Sequence, residues 1–152
     1  MIVLNNKIYL ELLEDDLQPK KTFLNTDADL LKYCKVLDVG NSVLDVKKGD
    51  IITLYVININ FIDSKKGFCS DRDVIFINNR PREKKVHINN QQKEKYGILY
   101  KASVVASSSN DINDGDEIYY KHGQSHILPD NTEILSETQI FYKKGIEQLS
   151  KT

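Results

Sequence analysis

A short run that occurs twice constrains this chain more than any other feature. Lys48-Gly49-Asp50-Ile51-Ile52 returns 66 positions later as Asp114-Gly115-Asp116-Glu117-Ile118. At the same offset of 66, Ser70-Asp71-Arg72-Asp73-Val74-Ile75-Phe76 returns as Ser136-Glu137-Thr138-Gln139-Ile140-Phe141-Tyr142. Upstream, Lys35-Val36-Leu37 matches Ser103-Val104-Val105 at 68, and Lys7-Ile8-Tyr9-Leu10 matches Lys85-Val86-His87-Ile88 at 78. The matches are collinear, and the large drop from 78 to 68 falls at one place, the loop after each copy's first strand. Such a pattern predicts a tandem duplication. A chain of 152 residues, otherwise the size of one domain, is therefore expected to be two small ones, 1–78 and 79–152.

Within each copy the strand signals dominate. Lys7–Leu13, Cys34–Val39, Ile51–Ile59, Asp73–Ile77, Val86–Ile88, Ile98–Ala106, Glu117–Tyr120 and Glu133–Leu135 are rich in β-branched and aromatic residues. Gly, Asn and Asp clusters punctuate them at short intervals, the signature of a small sandwich or barrel. Helical candidates are few: two turns over Thr26–Tyr33 behind a Thr cap, and a short tail over Gly145–Lys151. Gly49 and Gly115, each beside Asp and before an apolar strand, suit a tight turn with positive φ. The fold class is all-β.

Three segments give the repeat a family likeness. Lys35-Val-Leu-Asp-Val-Gly-Asn41, Val46-Lys-Lys-Gly-Asp-Ile-Ile52 and Ser70-Asp-Arg-Asp-Val74 stand in the order found in the GroES-like co-chaperonin family. The second copy keeps Ser103–Ala106, Ile112–Ile118 and Ile134–Ile140 in that order. The chain thus resembles two tandem GroES-like β-barrels with a short C-terminal helical tail. The resemblance implies a ring-forming homo-oligomer that docks a protein partner through a polar loop carrying a short apolar tripeptide. The matching loop here is 14–31, and its tripeptide is Thr22-Phe23-Leu24. Burying two apolar side chains of this kind contributes roughly 1.5–3 kcal/mol each. Phe23 and Leu24 either anchor the chain to a partner or fold back on their own barrel.

The family pattern is not kept throughout. Lys20, Lys21 and Asn25 stand where glycines flank the family's tripeptide. Only Asn41–Asp45 fills the place of the roof hairpin, so no dome can close over a chamber. In the second copy the loop, about Asn89–Gly97, carries no apolar anchor in Asn89–Lys95. The expected role is a structural assembly protein whose 14–31 arm grips a neighbouring protein; the alternative is a working co-chaperonin that caps a chaperonin ring. Lysine outnumbers arginine 18 to 3, a bias common in AT-rich genomes, which makes a phage particle one setting. The expected location is the cytoplasm, or the virion if phage-encoded.

Chemistry is sparse. A net charge of −1 supplies no footprint for nucleic acid, and no run of 18 apolar residues predicts a membrane span. The N-terminus lacks the layout of a signal peptide. Cys34 and Cys69 are too few for a disulfide framework or a cysteine-based zinc site. His122 and His126 have a spacing that zinc tolerates on a helix, but the context is a hairpin loop. His87 reads as a half-buried strand residue. Asp111, Asp114 and Asp116 miss the calcium-loop pattern and read as a solvated turn. Asn78–Lys85 is the basic stretch, expected as a solvated linker. No catalytic motif is present around Ser107–Ser109 or elsewhere. No enzyme activity, cofactor or metal is expected.

Overall fold

A computed structural model describes residues 1–18, 30–121, 123 and 125–144, the side chains of 90–96 excepted. The chain divides into two compact units, Met1–Asn79 and Arg80–Thr152. Strands and three-residue 3₁₀ turns are the regular elements among the described residues, so the all-β reading holds.

In the first unit the strands are β1 (Lys7–Leu12), β2 (Leu31–Val39), β3 (Ile51–Tyr55), β4 (Asn60–Phe61), β5 (Lys66–Ser70) and β6 (Phe76–Ile77). The two-residue β7 (Arg80–Pro81) opens the second unit. Then come β8 (Lys85–Tyr96), β9 (Leu99–Ser107), β10 (Glu117–Lys121), β11 (His126–Ile127), β12 (Glu133–Ser136) and β13 (Ile140–Lys144). The first unit's strands pair in the order β4-β5-β1-β2-β3-β6, the second's as β11-β12-β8-β9-β10-β13. Strand for strand, the two orders are the same.

The registers repeat too. Ile8 pairs with Val39 and Leu10 with Val36, with a register shift between Tyr9 and Leu10. In the second unit Val86 pairs with Ser107 and Ile88 with Val104, with a shift between His87 and Ile88. First-strand residues therefore correspond at 78 and second-strand residues at 68, the offsets of the sequence matches. Cys69 and Leu135 face Ile8 and Val86, which carries the offset of 66 into β5 and β12. The Gly-Asp turns match atom for atom. Gly49 N–H donates to Val36 O and Gly115 N–H to Val104 O, both at 2.9 Å. Their φ angles of 95° and 86° lie where a Cβ would be strained.

Period-two alternation builds each core. Ile8 and Leu10 of β1 are buried between the outward Lys7, Tyr9 and Glu11, and they join Cys34, Val36, Ile52, Leu54 and Cys69 in one apolar cluster. Val86, Ile88, Ala102, Val104, Ile118, Tyr120 and Leu135 form the second.

Several expectations need correction. The barrels are not closed: no pairing joins the two ends of either strand order among the described residues. The candidate closing strands are short because the chain spends their residues in 3₁₀ turns. Val56–Asn58 ends what the sequence suggests as one strand, Ile51–Ile59, and Asp71–Asp73 precedes the two-residue β6. The helix expected over Thr26–Tyr33 is not formed at its C-terminal end, where Leu31–Tyr33 pair with Tyr55, Leu54 and Thr53. β-Branched and aromatic partners win there over weak helix propensity. Residues 26–29 lie outside the described residues, as does the tail 145–152. The loop expected at Asn89–Gly97 is instead the far part of β8, which returns on β9 through Gly97 and Ile98, with φ of 64° at Gly97. Asn78–Lys85 is largely exposed, as a solvated stretch should be. Asn78 and Asn79 take φ of 50° and 66°, and Pro81 is buried.

Candidate functional site

The loop between β1 and β2 is where the two units differ most in length, and its base is built with care. Asp15–Leu17 form a 3₁₀ turn with two acidic residues in it. Gln18 then reaches back to the sheet. Its Nε2 donates to Leu13 O and Tyr33 O, both at 2.9 Å, and its Oε1 accepts the Tyr33 N–H at 2.7 Å. Leu13 N–H itself donates to Tyr33 O at 3.1 Å. On the returning side, Val56 N–H donates to Leu30 O at 2.9 Å. Both feet of the arm are thus tied to the sheet by backbone-directed bonds, each worth about 1 kcal/mol net. The anchors named from sequence, Thr22, Phe23 and Leu24, lie outside the described residues, within 19–29. Sequence reasoning missed Gln18, since a lone Gln in a polar segment carries no signal of its partners.

The titratable groups elsewhere are engaged in the fold. Cys34 and Cys69 are buried, and burial pushes both thiols up to about 12, so they are protonated at neutral pH. Asp114 is not merely a solvated turn residue. Arg80 grips it bidentately at 2.9 and 2.8 Å, and its Oδ1 accepts the Ser107 N–H at 2.9 Å. The Arg80 hydrogen bond holds the Asp114 carboxyl below the usual range. Asp116 is only 4% exposed, because its Oδ2 accepts the Asn113 N–H at 2.9 Å and lies 3.4 Å from Lys143 Nζ. Asp50 holds the first unit's turn through the Lys47 N–H at 2.8 Å. These carboxylates are turn builders.

His87 is part-buried in β8, its Nε2 2.7 Å from Thr132 Oγ1, and burial lowers its pKa. Of the histidine pair, His126 stands in β11, while His122 lies outside the described residues. Ser109 Oγ donates to Glu137 Oε2 at 2.7 Å and accepts the Asp111 N–H at 3.4 Å. Proton and lone pair are both occupied in holding the loop. Tyr120 is fully buried with its hydroxyl unpartnered, and burial first, then Glu133, raises its pKa. Glu133, 1% exposed, accepts the Ser125 hydroxyl at 2.8 Å.

Exposed apolar side chains remain as the other notable feature. Met1, Ile2, Leu4 and Leu44 are 63–86% exposed in the first unit, and Phe141 and Tyr142 on β13 are 59% and 49% exposed in the second. No helix among the described residues is long and apolar enough to cross a membrane. The chain matches no family model and no curated protein.

Proposed function

We propose that this chain is a non-enzymatic structural protein built on two GroES-like β units, assembling into a ring or lattice. Its 14–31 arm grips a neighbouring protein through Thr22, Phe23 and Leu24, and a phage particle is the setting that fits its composition. One observation carries the reading. Between β2 and the Gly49 turn the chain tucks Val43 and Val46, 9% and 1% exposed, into the first unit's own core. In the co-chaperonin family a roof hairpin stands at that place. A roofless unit has edges and an arm with which to join neighbours but nothing with which to cover a chamber.

The arm's tied feet support the same view, because a loop held at both ends loses less entropy on docking than a free tail. Exposed apolar side chains on both units supply contact area of the kind interfaces use. The test is co-sedimentation with a host chaperonin in the presence of nucleotide, beside a search for the chain in purified particles. Presence in particles without chaperonin binding is the expected result. Nucleotide-dependent binding that a Phe23→Asp, Leu24→Asp variant abolishes would replace this reading with that of a co-chaperonin assisting protein folding.

A further inference from the structure

The second unit carries a groove of about 420 Å³ along its last strand. Ile112, 7% exposed, and Ile140 line it, with the aromatic rings of Phe141 and Tyr142 and the carboxylates of Asp111 and Glu137. Lys143 also lines it, but its ammonium lies 3.4 Å from Asp116, so its charge is offset within the unit. The groove therefore combines apolar and aromatic surface with two further carboxylates. It also runs beside an edge. β13 is the outermost strand of its sheet among the described residues, an edge of the kind that takes a further strand.

The first unit does not repeat this surface at the matching described positions. Phe76 and Val74 stand where Tyr142 and Ile140 stand, yet they are 8% and 3% exposed, and β6 is only two residues long. Conversely, the arm belongs to the first unit alone. A gripping element and a receiving edge are thus divided between the two units of one chain.

We propose that the groove receives residues 20–24 of the arm from a second copy of this chain. This rests on the reading of 14–31 as a gripping arm and names what it grips. Lys20-Lys21-Thr22-Phe23-Leu24 supplies two cations for Asp111 and Glu137 and two apolar side chains for the Ile112–Phe141 surface. Added alongside β13, the segment would use strand addition, with main-chain bonds for affinity and side-chain pockets for register. Length permits it: 11 residues, 19–29, separate Gln18 from Leu30, and a chain that goes out and back projects roughly 18 Å. The contact is head-to-tail, so it closes into a ring or runs on as a filament.

Sedimentation velocity on the full chain tests this with two variants: an arm variant, Phe23→Ser with Leu24→Ser, and a groove variant, Asp111→Lys with Phe141→Ser. Asp111 and Phe141 are exposed, and thermal melts of both variants check that they fold. Wild type is expected to assemble, and each variant alone to be monomeric. An equimolar mixture is expected to form 1:1 complexes and nothing larger, because one good arm meets one good groove. A labelled peptide of residues 18–30 is expected to bind the arm variant at least about tenfold more tightly than the groove variant, the equivalent of 1.4 kcal/mol. If the groove variant assembles like wild type while the arm variant does not, the arm docks elsewhere and only this inference falls. If wild type is monomeric, or both variants assemble normally, the gripping arm falls with it.

Discussion

The two units share one strand order and one set of registers but differ in what fills them. Where the first unit buries Leu54, the second buries Tyr120; where the first has Ile59 and Gly67, the second has Ser125 and Glu133. Ser125 and Glu133 bond to each other at 2.8 Å, so the polar groups entered the second interior as a matched pair. Cys34 and Cys69 correspond to Ala102 and Leu135, which leaves both thiols in the first unit. The difference shows which features the fold requires. Backbone pairing and the Gly-Asp turns are kept, whereas interior chemistry changes as long as each buried polar group finds a partner. The Tyr120 hydroxyl and the Gln139 Nε2 are the exceptions to that condition among the described residues.

The sharpest contrast lies at the end of the second strand. Gly40 N–H donates to Lys7 O at 2.8 Å, and its counterpart Ser108 N–H donates to Lys85 O at 3.0 Å. A Cβ on Gly40 would stand 2.1 Å from Asn5 O and 2.6 Å from Leu4 O, both rigid backbone. Ser108 already carries a Cβ, and its hydroxyl donates to Pro81 O at 2.6 Å. Gly40→Ala should therefore cost the first unit about 3 kcal/mol, the upper range for forced overpacking. Ser108→Ala should cost the second about 1 kcal/mol, one hydrogen bond. Thiol labelling reads the first unit selectively, because both cysteines are buried there and protonated at neutral pH. Equal losses at the two positions would show that the N-terminal segment moves aside and that the asymmetry is only apparent.

Much of this frame was legible in the sequence, and for a physical reason. Turns demand particular residues, so Gly49-Asp50 and Gly115-Asp116 mark the same corner twice, and the offsets of 66, 68 and 78 reappear in the pairing registers. β-Branched and aromatic enrichment marks β1, β2, β9 and β10, and in β1, β2 and β9 the buried residues alternate. The edges were harder to see. β4, β6 and β11 have two residues each, too short for any period, and β5 carries Gly67 within a polar context. The expectation of barrels comes from the family resemblance and from short strands with frequent turns, whereas closure depends on edge strands long enough to pair. The far half of β8, Asn-Gln-Gln-Lys-Glu-Lys, reads as a loop by composition and becomes a strand because β9 runs beside it. At the site, a foot such as Gln18 depends on where Leu13 and Tyr33 meet in space, which no local pattern records.

A smaller effect tests the Tyr120 exception in the second interior. Tyr120→Phe removes a buried hydroxyl that has no partner, at almost constant shape. An unsatisfied buried polar group costs about 1–3 kcal/mol, so the variant should stabilise the second unit by about 1 kcal/mol. The tilted ring contact with Tyr100, centroids 6.0 Å apart, needs no hydroxyl and should survive. Chemical denaturation, with hydrogen exchange at β10 to localise the change, supplies the measurement. A loss of stability would mean that the hydroxyl is satisfied in solution, and the two interiors would then obey the same rule.

The smallest expected effect concerns charge. Asp114 exists only in the second unit, where the first has Lys48 at the matching corner. Arg80 holds the Asp114 carboxyl below its ordinary value, chiefly through their hydrogen bond. A carboxyl depressed in the folded state favours folding above its unfolded value, near 3.9, and that contribution disappears as pH falls through the lower folded value. Both side chains are about half exposed, so solvent screens the pair and the gain is modest. Acid titration should therefore show a slightly steeper loss of stability below about pH 4 in the second unit than in an Asp114→Asn variant. The same substitution should leave the first unit's acid transition, followed by thiol labelling after return to neutral pH, where it was. A shift of the first unit's transition would show that the two units unfold together, and that their separate interiors answer to one cooperative fold.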